Sequence, residues 1–185
     1  MKRIVLIFGC ISGLIASAMM FLTLPLLNNG TVNFKNGAVI GYTSLFLAFI
    51  LVFFGIRSYR EHNGGTITFG RGVAVGILIT LISSVFYVAS WEILYYQFMP
   101  DFVDKCIAGT VDAAREKGAS EAEIAAKKKE MEAMRPLYDN PLTNAAITLL
   151  EPFPVGVIVT LVSAAILRRR ERVVAPPAGS AVSLT

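Results

Sequence analysis

Charge is what this chain has least of. Only 16% of its 185 residues are Asp, Glu, Lys or Arg, while 55% are hydrophobic. A soluble domain of this size carries about 25% charged residues. The shortfall argues against a soluble helical bundle, whose helices are amphipathic rather than apolar all round. Cysteine is nearly absent: Cys10 and Cys106 stand alone, which excludes a disulfide framework. Histidine occurs once, as His62, with no carboxylate or thiol cluster near it in the sequence. It reads as a solvated loop residue rather than a metal ligand or general base. A dinucleotide fingerprint is missing too. Gly70, Gly72 and Gly76 leave Val75 where the third glycine of G-x-G-x-x-G belongs, and no Gly-Lys-Ser/Thr follows. With no nucleophile–base pair and no metal or cofactor motif, an enzyme is not expected, and no catalytic residue or cofactor is assigned.

What is present is apolar length. Four runs stand out: Ile4–Leu27, Ala38–Ile56, Val73–Trp91 and Thr143–Leu167. The first three contain no Asp, Glu, Lys or Arg, and the fourth contains only Glu151. A bilayer core about 30 Å thick needs about 20 apolar helical residues to span it. The runs predict an all-α fold, a four-helix transmembrane bundle with spans near 4–27, 38–56, 73–97 and 143–167. Residues 1–170 form a single membrane domain, and residues 171–185, with Pro176-Pro177, form a disordered cytoplasmic tail.

The net charge of +4 follows from placement and is not a sign of nucleic-acid binding. Lys2 and Arg3 precede the first run, Arg57, Arg60 and Arg71 lie between the second and third, and Arg168, Arg169, Arg170 and Arg172 follow the fourth. The segment after the third run is net acidic. The positive-inside rule then places both termini and the 57–72 connection in the cytoplasm, and residues 28–37 and 100–142 on the other side. Met1-Lys2-Arg3, Ile4–Ile15 and Ala16-Ser17-Ala18 also fit a cleavable signal peptide. The run continues through Met19–Leu27, so an uncleaved span is the better reading.

Pro25 and Asn28-Asn29-Gly30 end the first helix near Leu27. Arg57, Tyr59 and Arg60 suit the membrane interface at the end of a short second span. The segment 100–142 is too long for a plain loop. Phe102, Val103, Cys106, Ile107, Thr110, Val111 and Ala114 recur at helical spacing. Lys117-Gly118 ends that helix, and Ser120 with Glu123 forms a capping box for the next. Glu123 and Lys127 make an i,i+4 pair. Arg135-Pro136 and Asn140-Pro141 close the segment. The reading is an extracytoplasmic helical hairpin between helices three and four. It is either a lid over the bundle or, at residues 101–135, a surface for a protein partner. Cys106 is either a small apolar side chain on a helix face or the site of an intermolecular disulfide.

Inside the runs small residues recur four apart: Gly9/Gly13, Gly37/Gly41, Gly72/Gly76 and Gly156/Thr160/Ala164. Such spacing lets helix backbones approach closely within the bundle, or between copies in a homo-oligomer. Glu92 and Glu151 are the sharpest candidates for function, because an ionisable group in a membrane helix is costly and faces the protein interior. Glu92 lies about 28 Å along its helix from Val73, and Glu151 about 12 Å in from Thr143, both toward the outer face. Trp91, Tyr95 and Tyr96 supply possible donors beside Glu92. Glu92, Glu151 and Tyr95 are therefore a candidate polar, ligand-binding pocket, with no metal site. The alternative is a helix kink at Glu151-Pro152-Phe153-Pro154 with a hydrogen-bonded carboxyl that only fixes packing.

These features in this order resemble a family of bacterial membrane proteins, the domain of unknown function numbered 4199. The residues that carry the likeness are Phe53-Phe54-Gly55-Ile56-Arg57-Ser58-Tyr59-Arg60, Ile67-Thr68-Phe69-Gly70, Trp91-Glu92-Ile93, Tyr95, Pro100-Asp101-Phe102, and Glu151 with Phe153-Pro154-Val155-Gly156. The resemblance implies four membrane helices in a bacterial inner membrane and supplies no activity. The expectation is a multi-pass membrane protein, a non-enzymatic component or interaction protein. The alternative is a small transporter-like or proton- or ion-responsive protein using Glu92 and Glu151.

Overall fold

The computed structural model describes residues 1–28 and 34–169. Helix α1 spans Lys2–Asn28, α2 Phe34–His62, α3 Phe69–Phe98, α4 Phe102–Glu116, α5 Glu121–Asp139, α6 Pro141–Leu149 and α7 Pro152–Leu167. Among the described residues there is no strand, only an isolated antiparallel bridge between Ile67 and Arg169. The fold is all-α. Its described residues hold 4 stretches long and apolar enough to cross a membrane: Lys2–Thr23, Val39–His62, Phe69–Phe98 and Pro141–Leu167. Asn29, Gly30, Arg170, Arg172 and the tail at 171–185 lie outside the described residues.

Helix α2 runs past Ile56, so the second span is not short. Arg57 donates to Glu61 one turn on at 2.9 Å, and His62 Nδ1 meets the Ser58 carbonyl at 2.8 Å. These local bonds extend the helix beyond its apolar stretch. His62 is therefore the last residue of a helix. Gly64 and Gly65, with φ of 71° and 79°, then reverse the chain in a conformation that L side chains avoid. Thr68 starts α3 by accepting the Arg71 amide at 3.3 Å. Ile67 is buried and exchanges two backbone hydrogen bonds with Arg169, tying this turn to the end of α7.

Helices α1, α3, α7 and α2 form a closed ring, each packed on the next, and α2 and α3 also touch across the diagonal. The core is apolar, with Phe49, Val52, Ile56, Val75 and Ile79 buried, but it also takes in small polar residues while large apolar ones face outward. Ser12, Thr80, Ser83, Ser84 and Thr160 are buried, while Leu22, Val39, Phe46, Val85, Ile158 and Ile166 are exposed. Where lipid gives no hydrophobic drive, helices associate through close packing and hydrogen bonds, so small polar residues belong inside. Most of these hydroxyls are used in this way, Ser84 Oγ being the exception. Ser12 donates to the Ala48 carbonyl at 2.8 Å and Ser83 to the Gly9 carbonyl at 3.1 Å. Ser90 donates to Ser17 Oγ at 2.8 Å, and Ser17 to the Phe86 carbonyl at 3.3 Å. Cleavage after Ala18 would strip Gly9, Ser12, Gly13 and Ser17 from this interface.

Most of the spaced small residues sit at crossings. A methyl group added at Gly13 would lie 2.7 Å from Phe86, one at Gly9 2.8 Å from Ile82, and one at Gly76 2.5 Å from Thr160. At Gly156 it would collide with Thr80. Gly41 departs from the pattern: an added Cβ there has nothing within 4 Å. Gly41 therefore does not mark a close helix crossing among the described residues.

The fourth span is broken. Helix α6 ends at Leu149, and α7 begins at Pro152. Pro152 and Pro154 cannot donate to carbonyls one turn earlier. The Leu150 and Glu151 amides instead bond back to the Ile147 and Thr148 carbonyls at 2.9 and 3.3 Å, tightening the last turn of α6.

Between α3 and α6 stands the α4–α5 hairpin. Gly118, at φ 72°, ends α4 as its position predicts, and the Ser120–Glu123 capping box forms with both reciprocal bonds. Glu123 turns its carboxylate back to the Ser120 amide at 2.8 Å, and the charge of Lys127 acts on it as well. One detail differs from the sequence reading. Pro136 does not close the segment, since α5 continues through it to Asp139. The hairpin has a small core of Tyr95, Val103 and Ile107, with Trp91, Phe102, Val111, Met131 and Tyr138 against it. Arg135 donates to Asp104 across the hairpin. The Lys127-Lys128-Lys129 run is solvent-exposed.

Candidate functional site: a cavity at the hairpin end

Tyr87, Trp91 and Tyr95 recur every four residues on α3, so they form one stripe along the helix. Each meets a different element. Tyr87 donates its hydroxyl to Glu151 Oε2 at 2.8 Å. Trp91 donates Nε1–H to Asn144 Oδ1 on α6 at 2.9 Å. Tyr95 stacks edge-on against Phe102, with centroids 6.1 Å apart, and lies tilted over Tyr138 at the same separation. Asn144 is fully buried and is satisfied on both sides: its Nδ2 donates to the Tyr138 carbonyl at 3.2 Å, and Thr148 donates to its Oδ1 at 3.3 Å. This column holds α6 and the hairpin to α3.

Described residues of α1, α2, α3 and α6 enclose a cavity of about 350 Å³ under the hairpin. Ala16, Met19, Met20 and Thr23 of α1 line one wall, and Gly37, Gly41, Tyr42, Ser44 and Leu45 of α2 another. Tyr87, Trp91 and Leu94 form the back, Met99, Phe102 and Tyr138 the roof, and Ile147, Thr148 and Glu151 the far side. The volume lies within the range of about 300–1,000 Å³ usual for small-molecule sites. Non-helical backbone at membrane depth is tolerated where it lines a cavity. The break at Leu150–Glu151 does so.

Among the described residues of the lining Glu151 is the only Asp, Glu, Lys, Arg or His, and it sits immediately before the first turn of α7. Glu92 is placed elsewhere. It is half-buried, its Oε1 is shielded with no hydrogen-bond partner, and it does not line the cavity. The donors named for it are committed to other groups: Trp91 to Asn144, and the Tyr96 hydroxyl to the Tyr138 carbonyl at 3.1 Å. Tyr95 is buried in the hairpin core behind the roof. The three candidate residues thus do not share one pocket; Glu151 alone reaches it. The reason is angular. Glu92 is one residue, about 100°, round the helix from Trp91.

Sequence reasoning missed Tyr87, Asn144 and Gly41. The four-residue aromatic repeat in α3 and the lone amide near the start of the fourth run were available signals for the first two. Gly41 offered none, because its spacing from Gly37 matches that of packed glycines.

Outside the spans, Arg135 holds the Asp104 carboxyl below its usual value, and the Ser120 amide does the same for Glu123. Burial pushes the Cys106 thiol up to about 11. Cys106 therefore stays protonated and is a poor nucleophile near neutral pH, as suits a small apolar side chain. Among the described residues no three of His, Cys, Asp and Glu gather as a metal site would require.

A family model described as "Protein of unknown function (DUF4199)" matches residues 7–169. No curated protein matches the chain, and no solved structure does.

Proposed function

The chain belongs to the DUF4199 family of proteins of unknown function, and we propose that it is a non-enzymatic, multi-pass membrane component that holds a small amphipathic molecule beneath its hairpin. The observation that carries this reading is the cavity itself: about 350 Å³, walled mainly by apolar and aromatic side chains, with one carboxylate on its lining. The hairpin is then a lid, and its exposed face at 101–135 is available to a protein partner or a second copy. In this reading the protein sits in a bacterial inner membrane with both termini cytoplasmic and the hairpin outside. The gathering of Lys2, Arg3, Arg57, Arg60, Arg71 and Arg168 at the opposite end of the bundle supports that orientation.

Native mass spectrometry of the protein purified from its membranes tests the reading. A bound small molecule is expected on the wild type and lost from Gly41→Leu, which fills the cavity. Identical spectra for the two proteins sink the proposal. For orientation, cysteine placed at position 120 should label from outside and cysteine at position 62 should not. The transporter-like or ion-responsive alternative has less in its support, because Glu92 and Glu151 do not share a cavity.

A further inference from the structure

The lining of the cavity is unbalanced in its hydrogen-bonding capacity. Several of its donors are spent inside the protein, while the Tyr42 and Tyr138 hydroxyls also stand on the lining. Tyr87 donates to Glu151, Trp91 to Asn144, Thr148 to Asn144, Ser44 to the Ile40 carbonyl at 2.8 Å, and Thr23 to the Met20 carbonyl at 2.9 Å. Its one charged acceptor is not. Glu151 takes one hydrogen bond from Tyr87 on Oε2, and among the described residues of the lining there is no Lys, Arg or His. The remaining surface is methionine, aliphatic and aromatic, with Trp91, Phe102 and Tyr138 together at the roof end. Aromatic faces attract cations through their quadrupole, and a carboxylate attracts them by charge.

We infer that the ligand of this cavity is a lipophilic cation: an amine or quaternary ammonium that meets Glu151 and the aromatic faces, with an apolar tail against Met19, Met20 and Leu45. This rests on the cavity being a binding site, as proposed above, and adds the chemical class. An anionic ligand would meet an uncompensated carboxylate with few free donors. A neutral apolar ligand would leave that carboxylate unused.

The chain has a single tryptophan, Trp91, and it lines the cavity. Its fluorescence therefore reports occupancy. The full-length protein in zwitterionic lipid nanodiscs is titrated with a brominated alkylamine, the matching bromoalkanol and the matching bromoalkanoate, since bromine quenches indole. The amine should quench saturably and bind about tenfold or more tighter than the alcohol, the ratio that one charge-assisted hydrogen bond supplies. Glu151→Gln should erase that preference while leaving the alcohol unchanged. Gly41→Leu, at a position where an added side chain begins in open space, should abolish saturable quenching by both. It serves as the second test should Glu151→Gln fail to fold. Equal binding of amine and alcohol, or tighter binding of the carboxylate, overturns the cationic class and leaves the cavity reading standing. Quenching by all three probes that never saturates and is the same in Gly41→Leu overturns the cavity reading itself.

Discussion

The two halves of the bundle use the same small-residue spacing to opposite ends. Toward the α2–α3 turn, Gly72 and Gly76 face Ala164 and Thr160, and the helices close until an added methyl has no room. Toward the hairpin, Gly37 and Gly41 sit on α2 with a cavity in front of them. A pair of glycines four residues apart only makes a shallow groove. Whether the groove is filled depends on whether another helix can reach it. In the closed half α7 packs closely on α3. In the open half the fourth span has broken, and α6 follows α3 and the hairpin instead.

The largest effect that would sharpen this contrast is overpacking the closed half. Gly156→Leu should cost about 3 kcal/mol or more, measured as thermal unfolding in detergent, because Thr80 occupies the space a side chain needs. A neutral result would mean that the α3–α7 seam is looser than its contacts imply. Next comes the column that holds the open half open. Trp91→Phe keeps the ring but removes the donor to Asn144, and should destabilise by about 1 kcal/mol. Faster amide exchange in α6 than in α7 would place that loss where expected; uniform exchange would contradict it. Gly41→Ala should go the other way and stabilise by about 0.5 kcal/mol, since helix propensity improves and nothing is displaced. A loss of stability there would show that α2 does close onto a neighbour.

The smallest effect lies in the hairpin and depends on pH. Asp104 is held below its ordinary 3.8 by Arg135, so the pair stabilises the folded hairpin above that value and loses its contribution as pH falls through the lowered one. Both groups are exposed, which keeps the gain small. Asp104→Asn should leave the hairpin slightly less protected in hydrogen exchange at neutral pH and equal to wild type under strongly acidic conditions. Equal protection at both pH values would show that the pair contributes nothing.

Much of the hairpin was legible from local rules. The Gly118 stop and the Ser120–Glu123 cap concern residues within one turn of each other, and both formed as read. Pro136 escaped that logic because a proline in a helix breaks it only if the bent continuation has nothing to pack against. Here Tyr138, just beyond it, packs on Tyr95 and Phe102. The candidate site was legible in part. A carboxylate and two prolines in an apolar run marked Glu151, but Glu92 carried the same mark and points away from the cavity.

By itself the sequence determined the number of apolar spans, the end of the bundle at which the basic residues gather and the presence of a helical hairpin. Those are properties of length, periodicity and local charge, and each is set within one stretch of chain. Only the tertiary structure decided which glycines are packed, which glutamate reaches the cavity and what gives that glutamate a donor. These outcomes depend on the residue standing opposite. The sequence separates Tyr87 from Glu151 by 64 positions, and no local preference of either residue specifies the other.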